Sequence, residues 1–338
     1  MPSMDFGIDL GTATVIIYDN QEGLLLKEPS VVAINKYTDE VIAVGAEAYQ
    51  MLGRTPDRIQ AIRPLRSGVI SDYQVTEMMI KYFLNKLCAN KVLKPRICIC
   101  VPSAITPVES NAVVDAAVSA GARKVFLIEE PVAAAIGAGI DITLPVGSII
   151  LDIGGGTSDI AVLSLGGIVC KVSIRVAGDK FDEAIIRYIR SKYNVLIGEK
   201  TAEKLKIQIG SVYDTNEPAE ADVKGRNLYS GIPQKIRITR SELIPILQEV
   251  AIQIVAALRT VLEKTPPELM ADIQSNGLVM TGGGCLIHGL SELIQENTLL
   301  NVIIAEDPVE CVAKGTGKAF EYMGKLIDGF INPSTHTH

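Results

Sequence analysis

The sequence predicts an α/β fold of two similar lobes facing each other across a cleft, and three observations carry that expectation. Strand patterns alternate with helical ones along the chain, the rhythm of sheets covered by helices. The core must be aliphatic, because 48% of the 338 residues are hydrophobic while aromatics reach only 5% and tryptophan is absent. Such a composition suits parallel strands buried on both faces. Finally, residues 6–18 (FGIDLGTATVIIY) and 149–162 (IILDIGGGTSDIAV) share one grammar: an apolar strand ends in an Asp, a glycine-containing turn follows, and a second strand runs on. Such duplication suggests one hairpin from each lobe, and the length gives two domains as a prior.

Taken in chain order, the first hairpin is followed by a buried strand at 95–101. Thr106 then N-caps a helix with Pro107 in its first position and Glu109 three residues on, a capping box, and Gly121 ends that helix. Residues 123–128 form the next strand, Glu129 and Glu130 close it, and Pro131 opens an Ala-rich helix. After the second hairpin, helical patterns cover 181–193, 201–209, 241–262, 291–296 and 308–322, each amphipathic rather than wholly apolar. No apolar run approaches the ~20 residues a bilayer span needs, and residues 1–6 lack the charged-then-apolar layout of a secretory signal, so a cytosolic protein is expected.

Composition excludes several function classes. Lys and Arg number 32 against 39 Asp and Glu, a formal charge of −7, which argues against nucleic acid, whose phosphates need clustered cations. The six cysteines contain no C-x-x-C pair, so neither a zinc knuckle nor a redox couple is indicated and reduced thiols are expected. Cys98 and Cys100 alternate on one face of a strand, where small apolar side chains pack. His336 and His338 lie in the terminal Thr-His-Thr-His, leaving His288 alone inside, too few for most His-based triads or metal clusters.

Glycine in the two hairpin turns matters because a chain without Cβ lets successive backbone N–H groups converge on phosphate oxygens. A lone Gly-rich hairpin is usually an ordinary tight turn. Two matching ones, each with a strand-end carboxylate, point instead to a polyphosphate clamped from both sides, with Asp9 and Asp152 offering hard oxygens near a Mg²⁺, through its waters. A third cluster, residues 281–284, follows the apolar strand 278–280 and could approach a flat base or ribose, although glycine also serves strand-to-helix packing.

The order of hairpin, Glu-Pro-x-Ala-Ala-Ala, second hairpin and Thr-Gly-Gly-Gly is similar to the actin, Hsp70 and sugar kinase ATPase superfamily. Within it, residues 28–33 (EPSVVA), 54–73 (RTPDRIQAIRPLRSGVISDY), 197–203 (IGEKTAE) and 265–273 (TPPELMADI) resemble the bacterial actins MreB and Mbl, and the match spans nearly the whole chain. The resemblance implies an actin-like α/β fold, two lobes each of two subdomains around a cleft that holds ATP or ADP with Mg²⁺. The first lobe would cover 1–145 with a small subdomain inserted near 30–70, and the second 146–330 with one near 180–245. A C-terminal helix at 308–325 would pack back on the first lobe, and 331–338 would be a flexible tail.

Matching positions give Thr12, Ala13 and Thr14 to the first phosphate turn and Gly154, Gly155, Gly156 and Thr157 to the second. Glu203 and Lys206 match ribose and adenine contacts, with Gly282, Gly283, Gly284 and Cys285 behind the nucleotide. Spacing of three places Glu203 and Lys206 on one helix face, which a solvated salt bridge would also explain. Glu130 and Thr157 match the water-positioning pair of a slow ATPase, and the dipole of the helix opened by Pro131 would favour an ionised Glu130. The first turn ends in Thr14 where relatives commonly carry Asn, the second continues Thr157-Ser158-Asp159 rather than Thr-Thr-Glu, and Ser110-Asn111 replaces an Arg-Arg pair, which puts that pair's surface contacts in doubt.

The same resemblance implies paired filaments of the protein itself at the inner face of the cytoplasmic membrane, organising cell-wall synthesis with elongation proteins. Residues 1–6 are too short for an amphipathic anchor helix. Val92 and Leu93, flanked by Lys91, Lys94 and Arg96, match the membrane-insertion loop, and burying them contributes roughly 1.5 to 3 kcal/mol each at most, which a filament would multiply. They could equally begin the following strand. Two other classes share the phosphate hairpins: a sugar-type small-molecule kinase and an Hsp70-like ATPase.

Overall fold

The structure is a computed structural model that describes residues 4–66, 68–88, 94–214, 216–326 and 329–331. Val92, Leu93 and residues 332–338 of the expected tail lie outside the described residues. Among those described, the first lobe is built on a six-stranded sheet in the order Phe330–Ile331, Lys124–Glu129, Arg96–Val101, Asp5–Leu10, Thr14–Asp19, Gly23–Pro29. The second lobe has five strands in the order Gly167–Ile174, Ser158–Ser164, Ser148–Ile153, Leu278–Thr281, Val302–Ile304. Both sheets follow one plan, in which an antiparallel three-strand meander is joined by a parallel strand beside the Asp-bearing one. The repeat seen in the two hairpins therefore extends to the sheet that carries each hairpin.

Each lobe also holds a smaller sheet. In the first, Val32–Asn35 pairs with Val41–Val44 and Ile59–Ile62 around a compact core of Val31, Ala33, Ala43 and Ala48, capped by the short helix Ala46–Met51. In the second, Val195–Leu196, Glu220–Asn227 and Pro233–Thr239 form the sheet beside the helix Glu199–Ile209.

The capping box at Thr106 is present, with Glu109 returning to the Thr106 amide, and a second one joins Thr239 to Glu242 at the start of Arg240–Lys264. That helix is long and apolar enough to cross a membrane by length and composition, yet Leu243, Leu247, Val250, Ile254, Leu258 and Val261 sink into the second-lobe core at helical spacing. Besides the short Ala46–Met51, two helices go beyond the sequence-based expectations. Tyr73–Cys88 buries Val75, Met79, Ile80, Phe83 and Leu84 after an Asp72 side chain that accepts from the Val75 amide, and Pro267–Asn276 buries Ile273. Both carry ordinary start signals, an Asp cap and a leading Pro.

The helix Cys311–Tyr322 lies against the first lobe rather than the second, across the helix Glu130–Gly137. Glycine makes that approach possible. A Cβ on Gly315 would stand 1.7 Å from the Ala133 carbonyl oxygen, and one on Gly137 1.8 Å from that of Cys311. Cys98, Cys100, Cys170, Cys285 and Cys311 are free thiols, and Cys98 and Cys100 share the buried layer beneath the first sheet.

Candidate functional site

A cleft of about 560 Å³ opens between the lobes, and both hairpin turns line it. The turns touch. A Cβ on Gly155 would come within 3.1 Å of the Ala13 Cβ, so the bare backbone lets the second turn close on the first without displacing it. Gly68 completes the contact: at φ +75° its amide donates to Thr12 Oγ1 over 3.2 Å, and a Cβ there would press 2.6 Å from Thr157 Cγ2. The amides of Thr12, Ala13, Gly155 and Gly156 donate to no protein acceptor among the described residues. The start of the helix Gly178–Tyr193 braces the second turn from below, with the Gly178 and Asp179 amides donating to the Gly154 and Gly155 carbonyls at 3.1 and 2.8 Å.

Beneath the turns lies an acidic floor. Asp9 accepts from the Cys100 thiol at 3.3 Å, and Asp152 from the Thr281 hydroxyl at 2.6 Å. Burial pushes Asp9 up to about 6 and Asp152 up to about 7. Glu130 is raised well above the usual carboxylate range by burial and by the negative neighbours Asp159, Asp152 and Asp9. The expectation of an ionised Glu130 at its helix N-terminus is therefore corrected: loss of water and three like charges outweigh a dipole worth at most ~2 kcal/mol. Glu130 is itself the first residue of that helix, and its Oε2 accepts from Thr157 Oγ1 at 3.4 Å. Asp159, also raised by burial, accepts the Ser103 amide at 2.9 Å while its second oxygen is buried and unpartnered.

Four carboxylates gathered without a cation among them fit a site completed by a positive ion. No three His, Cys, Asp or Glu among the described residues converge closely enough to ligate a metal directly, so Asp9 and Asp152 suit contact through metal-bound water. The unclaimed amides above suit anionic oxygens. A magnesium-bound polyphosphate satisfies both halves of the site.

At the far end of the cleft, Glu203 and Lys206 share a helix face but do not pair with each other, which removes the simple salt-bridge explanation. Lys206 Nζ donates to the Gly178 carbonyl at 2.9 Å and stands 3.0 Å from Asp182, while Glu203 accepts from Tyr49. Gly282, Gly283 and Gly284 line the cleft. Close packing against Ile153 explains Gly282 and Gly284, whose Cβ atoms would each meet it at 2.3 Å, whereas a Cβ on Gly283 would meet Val309 Cγ2 at an ordinary 3.8 Å. Cys285 lies beneath the surface, its thiol pushed up to about 12 by burial, and contributes packing rather than a lining atom.

Sequence reasoning missed Gly68, Gly178, Asp179, Asp182, Arg240 and His288, all of which line the cleft. Gly68 sits inside the quoted 54–73 stretch, and Asp182 lies on a helical pattern one turn from Gly178, so both were visible as residues but not as neighbours. His288 contacts Ser211 Oγ at 3.0 Å and Glu217 at 3.2 Å. That trio resembles a catalytic triad, yet Ser211 is fully buried and its hydroxyl donates to backbone carbonyls, so no substrate can reach it.

The family model described as MreB/Mbl protein matches residues 3–328. The chain is 50% identical over 327 residues to the cell shape-determining protein Mbl of Bacillus cereus, covering 96% of this chain and 98% of that one. It is likewise 50% identical to the cell shape-determining protein MreB of Escherichia coli K12, covering 95% and 94% respectively. Among solved structures, that of MreB5 of Spiroplasma citri bound to ADP superimposes with a TM-score of 0.89 at 39% identity, covering 95% of this chain and 97% of that one.

Proposed function

The chain belongs to the MreB/Mbl family of actin-like cell shape-determining proteins, and from that premise we propose that it binds ATP with Mg²⁺, hydrolyses it slowly and polymerises into filaments at the inner face of the cytoplasmic membrane that organise cell-wall synthesis. One observation carries the nucleotide half of this reading: two glycine turns from opposite lobes touch at Gly155 and Ala13 directly above an uncompensated acidic floor. The similar MreB5 structure holds ADP, which supports the same reading. A sugar-type kinase and an Hsp70-like ATPase share the hairpins, but the family match across residues 3–328 leaves them without support of their own.

Each residue has a role that its position suggests. The amides of Thr12, Ala13, Gly155 and Gly156, with the Thr14, Gly154 and Thr157 ends of the turns, hold the phosphates. Asp9 and Asp152 would hold a Mg²⁺ through its waters, and the ion would supply neutralising charge at the phosphate oxygens. Glu130 and Thr157, already joined, fix the attacking water, and a Mg²⁺ held beside Asp9 and Asp152 would offset the negative neighbours that raise Glu130 and favour the carboxylate form that accepts a proton. Glu203 and Lys206 serve the ribose and base, and Gly282 to Gly284 form the wall behind them. The nucleotide bridges both lobes, so its phosphate state biases their closure and with it the affinity of one subunit for the next.

Electron microscopy of the purified protein with ATP, Mg²⁺ and lipid vesicles tests the assembly half. Filaments lying on the vesicles are expected only with nucleotide, and dispersed particles under every condition would contradict polymerisation. Vesicle pelleting of Val92→Ser/Leu93→Ser separately examines the membrane loop, which fails as the anchor if the variant pellets like the parent.

A further inference from the structure

At the cleft mouth one side chain of the first lobe reaches the second. Tyr49, on the helix Ala46–Met51, packs its ring against the small core around Ala48, and its hydroxyl donates to Glu203 Oε2 over 2.9 Å. Lys200, three residues before Glu203 on the same helix, sets its ammonium 4.2 Å from the centroid of the Tyr49 ring, and Arg63 places its guanidinium 5.8 Å from it. The ring is thus rooted in one lobe and gripped by a cation of the other. Burial and the Glu203 charge push the phenol up to about 12, so it stays a donor at neutral pH. At the opposite end of the interface the lobes are joined by the Lys171–Glu129 ion pair and by the Ser103 amide on Asp159. Tyr49 thus makes a contact between the lobes apart from these joints.

Glu203 has two carboxylate oxygens, and Oε1 accepts from no protein donor among the described residues. We propose that Tyr49 is a latch and positioning residue: its hydroxyl holds one oxygen of Glu203 so that the other is presented to a sugar hydroxyl, and the same bond keeps the cleft closed over the bound nucleotide. Tyr49 does not line the cleft itself and acts through Glu203. Opening the lobes breaks a charge-assisted hydrogen bond and a cation–ring contact together, so the latch acts on the rate at which nucleotide escapes.

The inference rests on the nucleotide reading above, and the test separates the two. Tyr49→Phe keeps the ring beneath Lys200 and removes only the hydroxyl. Release of ATP and of 2′,3′-dideoxy-ATP is followed by stopped flow for the full chain with Mg²⁺, in the parent, Tyr49→Phe, Glu203→Ala and the double variant. The expected result is ATP release about tenfold faster in Tyr49→Phe with unchanged association, and a smaller preference for ATP over the dideoxy analogue. The double variant should then release ATP no faster than Glu203→Ala alone, because both changes break one coupled unit. Release at the parent rate, additive effects, or faster release with the parent's sugar preference intact would each overturn the latch while leaving nucleotide binding in place. A parent that takes up no ATP would overturn both.

Discussion

Thr157 Oγ1 donates to Glu130 Oε2 across 3.4 Å, tying the hairpin turn of the second lobe to the first residue of a first-lobe helix. The two groups come from different lobes, so this hydrogen bond joins them at the floor of the cleft.

Glu130→Ala should retain ATP binding, since the phosphate-facing amides belong to other residues, and should lower phosphate release by about 100-fold. Single-turnover phosphate release beside equilibrium ATP titration checks this. Unchanged release removes Glu130 from the mechanism.

Asp152 gives a pH dependence of known sign. Its carboxyl is raised from 3.8 to about 7 in the folded chain, so the native state binds more protons than the unfolded state between these values. Stability from this group therefore falls as pH rises from about 4 to about 7, by on the order of 3 kcal/mol, and stays reduced above. Urea unfolding of the nucleotide-free parent and Asp152→Asn at pH 5 and pH 8 should show the parent losing more stability than the variant. Equal losses would remove Asp152 as the cause.

Glu129 is buried and paired at 2.7 Å with Lys171 across the lobe boundary. Removing one partner of such a pair leaves a charge without compensation, so Lys171→Ala should destabilise by about 2 kcal/mol, and Glu129→Gln on that background should recover part of it. Thermal unfolding of the parent and the two variants reads the difference directly.

Gly315→Ala tests the glycine contact that seats Cys311–Tyr322 on the first lobe. The new methyl would stand 1.7 Å from the Ala133 carbonyl oxygen, which forces one helix away from the other. A loss of about 3 kcal/mol in urea unfolding is expected. Gly139→Ala, where a Cβ meets nothing but φ is +82°, should cost less, on the order of 1 kcal/mol.

Much of this architecture was legible because it is local. The two hairpins, the Thr106 capping box, the strand at 95–101 and the Glu-Pro start of the Ala-rich helix are written in neighbouring residues, and the structure places each accordingly. The helix Tyr73–Cys88 is equally local, with Asp72 as its start. What the sequence could not display is convergence. Gly68 between Thr12 and Thr157, Lys206 on Asp182 instead of Glu203, and Tyr49 on Glu203 all join distant segments. The raised Glu130 is hidden for the same reason: the helix dipole is visible in sequence, whereas the burial and the three acids that oppose it are not.

Isothermal titration of ATP into the purified chain with Mg²⁺, set beside Gly155→Val, addresses the central claim most directly. The parent should take up one nucleotide per chain, and the variant, whose side chain would wedge between the turns at Ala13, should lose at least about tenfold in affinity. Absence of uptake by the parent, or parent-like affinity in Gly155→Val, would contradict a polyphosphate held between the two touching turns.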